Sequence, residues 1–319
     1  MLAGLDSPVF SSLFPVIVLV AVGFAAGRRG WLGAATAKEL GNLVFLVLTP
    51  PLLFRTMSKV RPADLDYTPV AAYFIGVIVL FAATLLVCGF NRRAAVLALA
   101  NTFSNTVMIG IPLVGLAYGE AGLVTLFTLY TVHTVLLLTT ATVVLELAVA
   151  REAVADGSGP ARSMLRTVLT AVRNAVLHPV PLPIIAGLLF AQTGLSLPPL
   201  LDKTFVLLGG AFGPMALLLV GVTLAHTPVA GHVRGALALA AVKNLLHPAL
   251  VGAAGWWLGL RGTPLAVMVV TAALPIGANV FLFSQRYKVA EELVTAAVAL
   301  STLLALLSVS LVMGIVQRF

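Results

Sequence analysis

Charge is scarce in this chain. Of its 319 residues only 9 % are Asp, Glu, Lys or Arg, there is one cysteine (Cys88), and no carboxylate falls in the middle of a long apolar run. Each shortage excludes something. A single cysteine allows neither an internal disulfide nor a multi-cysteine metal site. The eleven acids, from Asp6 to Glu292, map to loops or to the ends of apolar runs, so no mid-membrane carboxylate is available as a proton relay or strong sodium ligand. No clustered His/Cys/Glu pattern or Ser/His/Asp arrangement supports enzyme chemistry, and the run GGAFG at 209–213 follows no strand. No cofactor is expected.

What is abundant is apolar surface. The chain is 60 % hydrophobic with a mean hydropathy of +1.09, more than a soluble fold of this length can bury. Runs of about 20 residues with few charges read as membrane-spanning helices, because hydrocarbon tolerates only helices or closed barrels and these runs do not alternate. The expected fold is an all-α polytopic membrane protein of ten transmembrane helices, near 8–27, 38–56, 67–89, 94–118, 122–148, 178–194, 200–225, 235–259, 263–285 and 290–316. The opening MLAGLDSPVF has neither a basic segment nor a small-residue cleavage site and is expected to lead into the first span.

The formal net charge is +8, yet the basic residues sit in short connections, where they serve as topology signals rather than as nucleic-acid contacts. With the amino terminus outside, twelve Lys and Arg fall in inside loops against six outside. That bias places both termini outside, with the Arg55–Arg61 loop as the contrary case. The polar stretch REAVADGSGPARSMLRT, 151–167, divides five spans from five. The expected organisation is therefore a first repeat over 1–150, a cytoplasmic linker over 151–177, and a second repeat over 178–319 that enters the membrane in the opposite sense.

Matched prolines support related halves. Pro51 and Pro214 are 163 residues apart, and so are Pro112 and Pro275. The fourth span reads NTVMIGIPLVG and the ninth AALPIGANVFLF, each with Pro close to Gly and Asn. Interior proline removes a donor and clashes with the preceding turn, and in lipid the freed groups persist only against protein or a polar cavity. Two readings stand: kinks in packed helices, or broken helices whose amino termini converge on a midplane anion site, as in secondary transporters. The second reading makes Asn105, Gly110, Pro112, Pro275 and Asn279 candidate substrate-binding residues, with Pro51 and Pro214 in support. Asn101, nearly three turns from Pro112, is a candidate for support or for plain packing. His133, central to the fifth span, is either a packing residue or a ligand. Lys243 shares a helix face with His247 and either contacts substrate or bonds helix-end carbonyls.

The runs LTPPLLFRTM, MIGIPLVGLAYGE and AALPIGANVFLFSQRYKV resemble the auxin efflux carrier family, which includes the plant PIN-FORMED auxin exporters and bacterial organic-acid carriers. The resemblance covers essentially the whole chain. It implies two inverted five-helix repeats, fourth and ninth spans that break at their prolines and cross, and a fold similar to that of sodium–bile acid symporters. It further implies elevator-like alternating access, a substrate carboxylate held near Asn105 and Asn279, a polar role for His133, and a homodimer as a reasonable assembly. The chain departs from the plant members in its short central loop and in a third span without a buried acid. The expected function is a secondary transporter of small organic anions, mono- or dicarboxylates of auxin- or malonate-like type, in the cytoplasmic membrane. The alternatives are a sodium-coupled symporter and a ligand-binding receptor that does not transport.

Overall fold

The computed structural model describes residues 8–61, 63, 65–155, 165, 169–170, 172–173, 180–227 and 232–316. Most of the expected linker 151–177, and the start of the expected sixth span with His178, lie outside the described residues. Eleven helical elements carry the described chain: α1 Pro8–Arg28, α2 Ala34–Met57, α3 Thr68–Cys88, α4 Arg92–Thr102, α5 Ile111–Ala155, α6 Pro181–Ala191, α7 Pro199–His226, α8 Val233–Trp257, α9 Gly262–Ala273, α10 Asn279–Tyr287 and α11 Glu291–Val316. Among the described residues there is no strand, only one isolated β-bridge between Ser104 and Ile276.

Seven helical runs among the described residues are long and apolar enough to cross a membrane, and α6 and α9 are shorter apolar helices. This is a multi-pass membrane protein. The difference from ten has local causes. The expected fourth and fifth spans join in one run, Thr106–Glu152, of 47 residues. A straight helix of that length would reach about 70 Å, more than twice the roughly 30 Å of a hydrocarbon core. The run is not straight. Gly119 adopts φ 60°, ψ −154°, and a Cβ on Gly122 would lie 2.4 Å from the Tyr118 Cβ and 3.1 Å from a Val114 methyl. The chain therefore doubles back at Gly119, where positive φ favours glycine. The expected fourth and ninth spans are each interrupted, which leaves α4, α9 and α10 too short to cross alone.

The helices pack in two groups, α1, α2, α6 and α7 in one and α3, α4, α8, α9, α10 and α11 in the other, with α5 packed against members of both. In the first group α1 and α7 touch backbone to backbone. A Cβ on Gly23 would lie 2.0 Å from the Leu218 carbonyl oxygen, and one on Gly221 would lie 2.0 Å from that of Val20. Close approach through small residues is how helices associate when lipid removes the hydrophobic drive between them. Arg55 forks onto Asp202, with Nε to Oδ1 at 2.7 Å and Nη2 to Oδ2 at 3.2 Å, and so ties α2 to α7.

The proline positions explain two helix details. Pro50 and Pro51 follow a wide π-type turn over Val44–Leu48, and the Thr49 hydroxyl donates to the Val44 carbonyl at 2.7 Å. Pro214, by contrast, lies inside the unbroken α7 and is exposed.

Candidate functional site

The site begins with two breaks in the helical backbone. The first helix of the pair, α4, starts on an Asn91 cap whose Oδ1 accepts from the Ala94 N–H at 2.8 Å, and stops at Thr102. Phe103–Asn105 then run non-helically. Helix resumes through a π-type turn, Thr106–Gly110, capped by Asn105, whose Oδ1 accepts from the Met108 N–H at 3.3 Å. The second break follows α9 and covers 274–278 before α10 starts at Asn279.

The breaks satisfy each other. The Asn105 N–H donates to the Pro275 carbonyl at 2.8 Å, and the Gly277 N–H donates to the Phe103 carbonyl at 2.9 Å, as a short antiparallel pair. Ile276 N–H donates to Ser301 Oγ of α11 at 3.1 Å. Non-helical backbone at membrane depth is tolerable only when its polar groups are met inside the protein, and these three bonds do so for Asn105, Ile276 and Gly277. Gly277 is required by contact: a Cβ there would sit 2.6 Å from the Phe103 ring and 3.0 Å from the Ser104 carbonyl.

One expectation needs correction. The prolines were to mark both breaks, and only Pro275 does. Pro112 lies seven residues beyond the Asn105 cap, in a helix that runs on from the π-type turn, just as Pro50 and Pro51 follow one in α2. Its ring instead packs toward α7, where a Cβ on Gly213 would be 3.8 Å away. The 163-residue spacing therefore does not align the two breaks, whose paired centres are Ser104 and Ile276.

The helix ends at the breaks are treated differently. The carboxyl end of α9 is met by Lys243, buried in α8, whose Nζ donates to the carbonyls of Ala272 at 2.6 Å and Leu274 at 2.7 Å. Of the two readings for this lysine, the helix-end carbonyl one describes its position. At the end of α4 the Thr102 hydroxyl donates to the Ala98 carbonyl at 2.8 Å. The amino ends of the Thr106 turn and of α10 border a cavity of about 520 Å³ that lies between the breaks on one side and α2 and α7 on the other. Among the described residues lining it, none is charged. Asn105, Thr106, Asn279 and Thr302 offer amides and hydroxyls, and Phe45, Leu46 and Leu219 give an apolar wall.

Of the residues singled out from the sequence, Asn105 and Asn279 line this cavity together. Gly110 and Pro112 are buried behind it, and Pro275 is buried in the second break. Pro51, Pro214 and Lys243 do not line it. Asn101 is buried and its Nδ2 donates to Thr84 Oγ1 of α3 at 3.1 Å, a packing position. His133 is fully buried beyond the wall, with Nε2 3.4 Å from the Tyr73 hydroxyl. Tyr73, Ser104 and Ser301 were missed by the sequence reading. Ser104 could have been found, since Ser-Asn-Thr is the composition of a helix start; a tyrosine in an apolar run carries no comparable signal.

This arrangement can hold an anion without a fixed positive charge. Two helix amino termini lend it partial positive charge, and the Asn105 and Asn279 amides stand beside them.

Comparison with known proteins shows a family. A family model described as "Membrane transport protein" matches residues 8–313. The chain is 27 % identical over 320 residues to a "Putative malonate transporter" of Rhizobium meliloti (strain 1021), covering 93 % of this chain and 92 % of that protein. It is 33 % identical over 154 residues to "Auxin efflux carrier component 3a" of Oryza sativa subsp. japonica, covering 46 % of this chain and 25 % of that one. It is 30 % identical over 155 residues to "Auxin efflux carrier component 1" of Arabidopsis thaliana, again 46 % and 25 %. The match thus spans about a quarter of the length of these plant relatives.

Proposed function

Because this chain belongs to the membrane transport protein family of the auxin efflux carriers, we propose that it is a secondary transporter of small organic anions, with the substrate carboxylate held at the paired breaks. The carrying observation is the convergence of two helix amino termini, with Asn105 and Asn279, on one uncharged cavity. A carboxylate there accepts from main-chain and amide donors and gains from the helix dipoles. Pro275 acts by shaping the second break, and Gly110 by its close approach to Leu274 there. The rhizobial relative's name makes malonate the first substrate to try.

In this reading the chain crosses the membrane ten times as two inverted five-helix repeats, 1–150 and 178–319. The doubling back at Gly119 and the two interrupted spans support that count. Alternating access proceeds by an elevator-type movement of the group containing both breaks against α1, α2, α6 and α7. The division of the helices into two packed groups, with the cavity on their seam, supports this mechanism. A protein of this kind sits in the cytoplasmic membrane.

Counterflow in liposomes tests the proposal. Purified protein reconstituted with trapped malonate should draw in labelled malonate, succinate or pyruvate by exchange. A ligand-binding receptor would bind without exchange, and absence of counterflow with all three would remove the transport reading. Repeating the measurement with and without sodium separates a sodium-coupled symporter from an uncoupled carrier.

A further inference from the structure

Behind the cavity wall lies a buried polar group that carboxylate docking does not use. Tyr73 of α3, His133 of α5, and Lys243 and His247 of α8 are all inaccessible to solvent. The Tyr73 ring lies 5.5 Å from the His133 ring and 5.2 Å from that of His247, centroid to centroid. His133 Nδ1 has no hydrogen-bond partner among the described residues. Buried orphan nitrogens are uncommon, and each calls for a reason.

The geometry connects this group to the cavity. Ser104 lines the cavity, its Oγ is 2.9 Å from the Tyr73 hydroxyl, and that hydroxyl is 3.4 Å from His133 Nε2. Three exchangeable groups thus form one line from the wall to an imidazole.

We propose that His133 is a proton-binding site reached from the cavity through Ser104 and Tyr73, and that one proton crosses the membrane with each organic anion. The inference rests on the transport reading above. The steps balance without a further reactant. The Ser104 hydroxyl takes a proton from the cavity and passes its own to Tyr73, which passes its own to His133 Nε2. Each hydroxyl ends as it began and the imidazole has gained one proton. Release on the other side is the reverse.

Electrostatics supply the coupling. The titratable and charged groups facing His133 are Tyr73 from α3, Tyr130 from its own helix, and Lys243 and His247 from α8. The α9 sequence has no titratable residue, and those of α4 and α11 (Arg92, Arg93, Glu291 and Glu292) lie at the far starts of their helices. A protonated His133 is a buried cation that lacks a counter-charge until an anion occupies the cavity. The anion and the proton therefore favour each other's binding, and by linkage the effect is reciprocal. A monoanion and its proton then move with no net charge added to the apolar interior, where an unpaired charge is costly.

The test uses full-length protein in liposomes holding a trapped pH-sensitive dye, with malonate, succinate and pyruvate as probes and protein-free vesicles as the baseline. Counterflow is measured first. With a substrate so found, net uptake should acidify the lumen and should speed up as the external pH falls. Tyr73→Phe cuts the line of hydroxyls and should slow acidification by about 10²-fold, the scale set by loss of a positioned proton carrier. His133→Gln can still bond Tyr73 but cannot carry the proton, so its uptake should lose the pH dependence while counterflow remains measurable. Counterflow without acidification in the wild type overturns the proton inference and leaves the transport reading standing. Acidification at the wild-type rate in His133→Gln also overturns it. No counterflow with any probe overturns both.

Discussion

Lys243 holds the end of a broken helix: its Nζ donates to the carbonyls of Ala272, in the last turn of α9, and of Leu274, where the second break begins. Both residues are buried, and no carboxylate is bonded to the lysine among the described residues. Lys243→Met keeps the volume of the side chain and removes the donors. We expect a lower melting temperature, by the equivalent of about 1–3 kcal/mol for an unsatisfied buried acceptor, measured by thermal unfolding in detergent. An unchanged midpoint would mean that these carbonyls find other donors.

The two cavity asparagines should separate stability from function. Asn105 caps the resumed helix, so Asn105→Ala should cost about 1 kcal/mol of stability as well as abolishing counterflow. Asn279 makes no side-chain hydrogen bond among the described residues, so Asn279→Ala should abolish counterflow with no loss of melting temperature. Wild-type exchange by either variant would sink its assignment to the carboxylate site.

Glycines of α7 offer a paired control within one helix. Gly221→Ala would drive a methyl into the Val20 carbonyl and should destabilise by about 1–3 kcal/mol through forced separation of α1 and α7. Nothing lies within 4 Å of the corresponding methyl at Gly210. Gly210→Ala should therefore be neutral, or stabilising by up to about 1 kcal/mol from helix propensity. Thermal unfolding of both variants decides whether contact or propensity governs this helix.

Topology can be tested without mutation. Cys88 is the only cysteine in the sequence and is exposed at the end of α3. With the amino terminus outside, that end faces the cytoplasm. A membrane-impermeant maleimide should label Cys88 in inverted vesicles or permeabilised cells and leave intact cells unlabelled. Labelling of intact cells would reverse the orientation read from the basic residues.

Much of this was legible in the sequence, for definite reasons. Apolar runs announce membrane helices because hydrocarbon leaves no other solvent for them, and Pro275 announces its break because an interior proline must free backbone groups. Asn105 and Asn279 were legible as amides near such breaks. The place of the first break was not, because Pro112 lies in the resumed helix rather than at the gap. The Gly119 reversal was legible as the gap between the expected fourth and fifth spans, 94–118 and 122–148, which the structure places at that glycine. His133 and Tyr73 belong to elements that meet only in three dimensions, and no spacing along the chain predicts that a serine at the wall will join them.

The mutual pairing of the breaks bears on how the protein is made. Asn105 N–H and the Phe103 carbonyl find their partners in Pro275 and Gly277, respectively, which leave the ribosome half a chain later. Until then the first half carries main-chain groups at membrane depth that nothing of its own satisfies, and water or a chaperoning surface must meet them. Assembly thus has a built-in checkpoint: the first half becomes a finished lipid-compatible body only when the second arrives. Neither half expressed alone should resist protease at this point, and the two expressed together should.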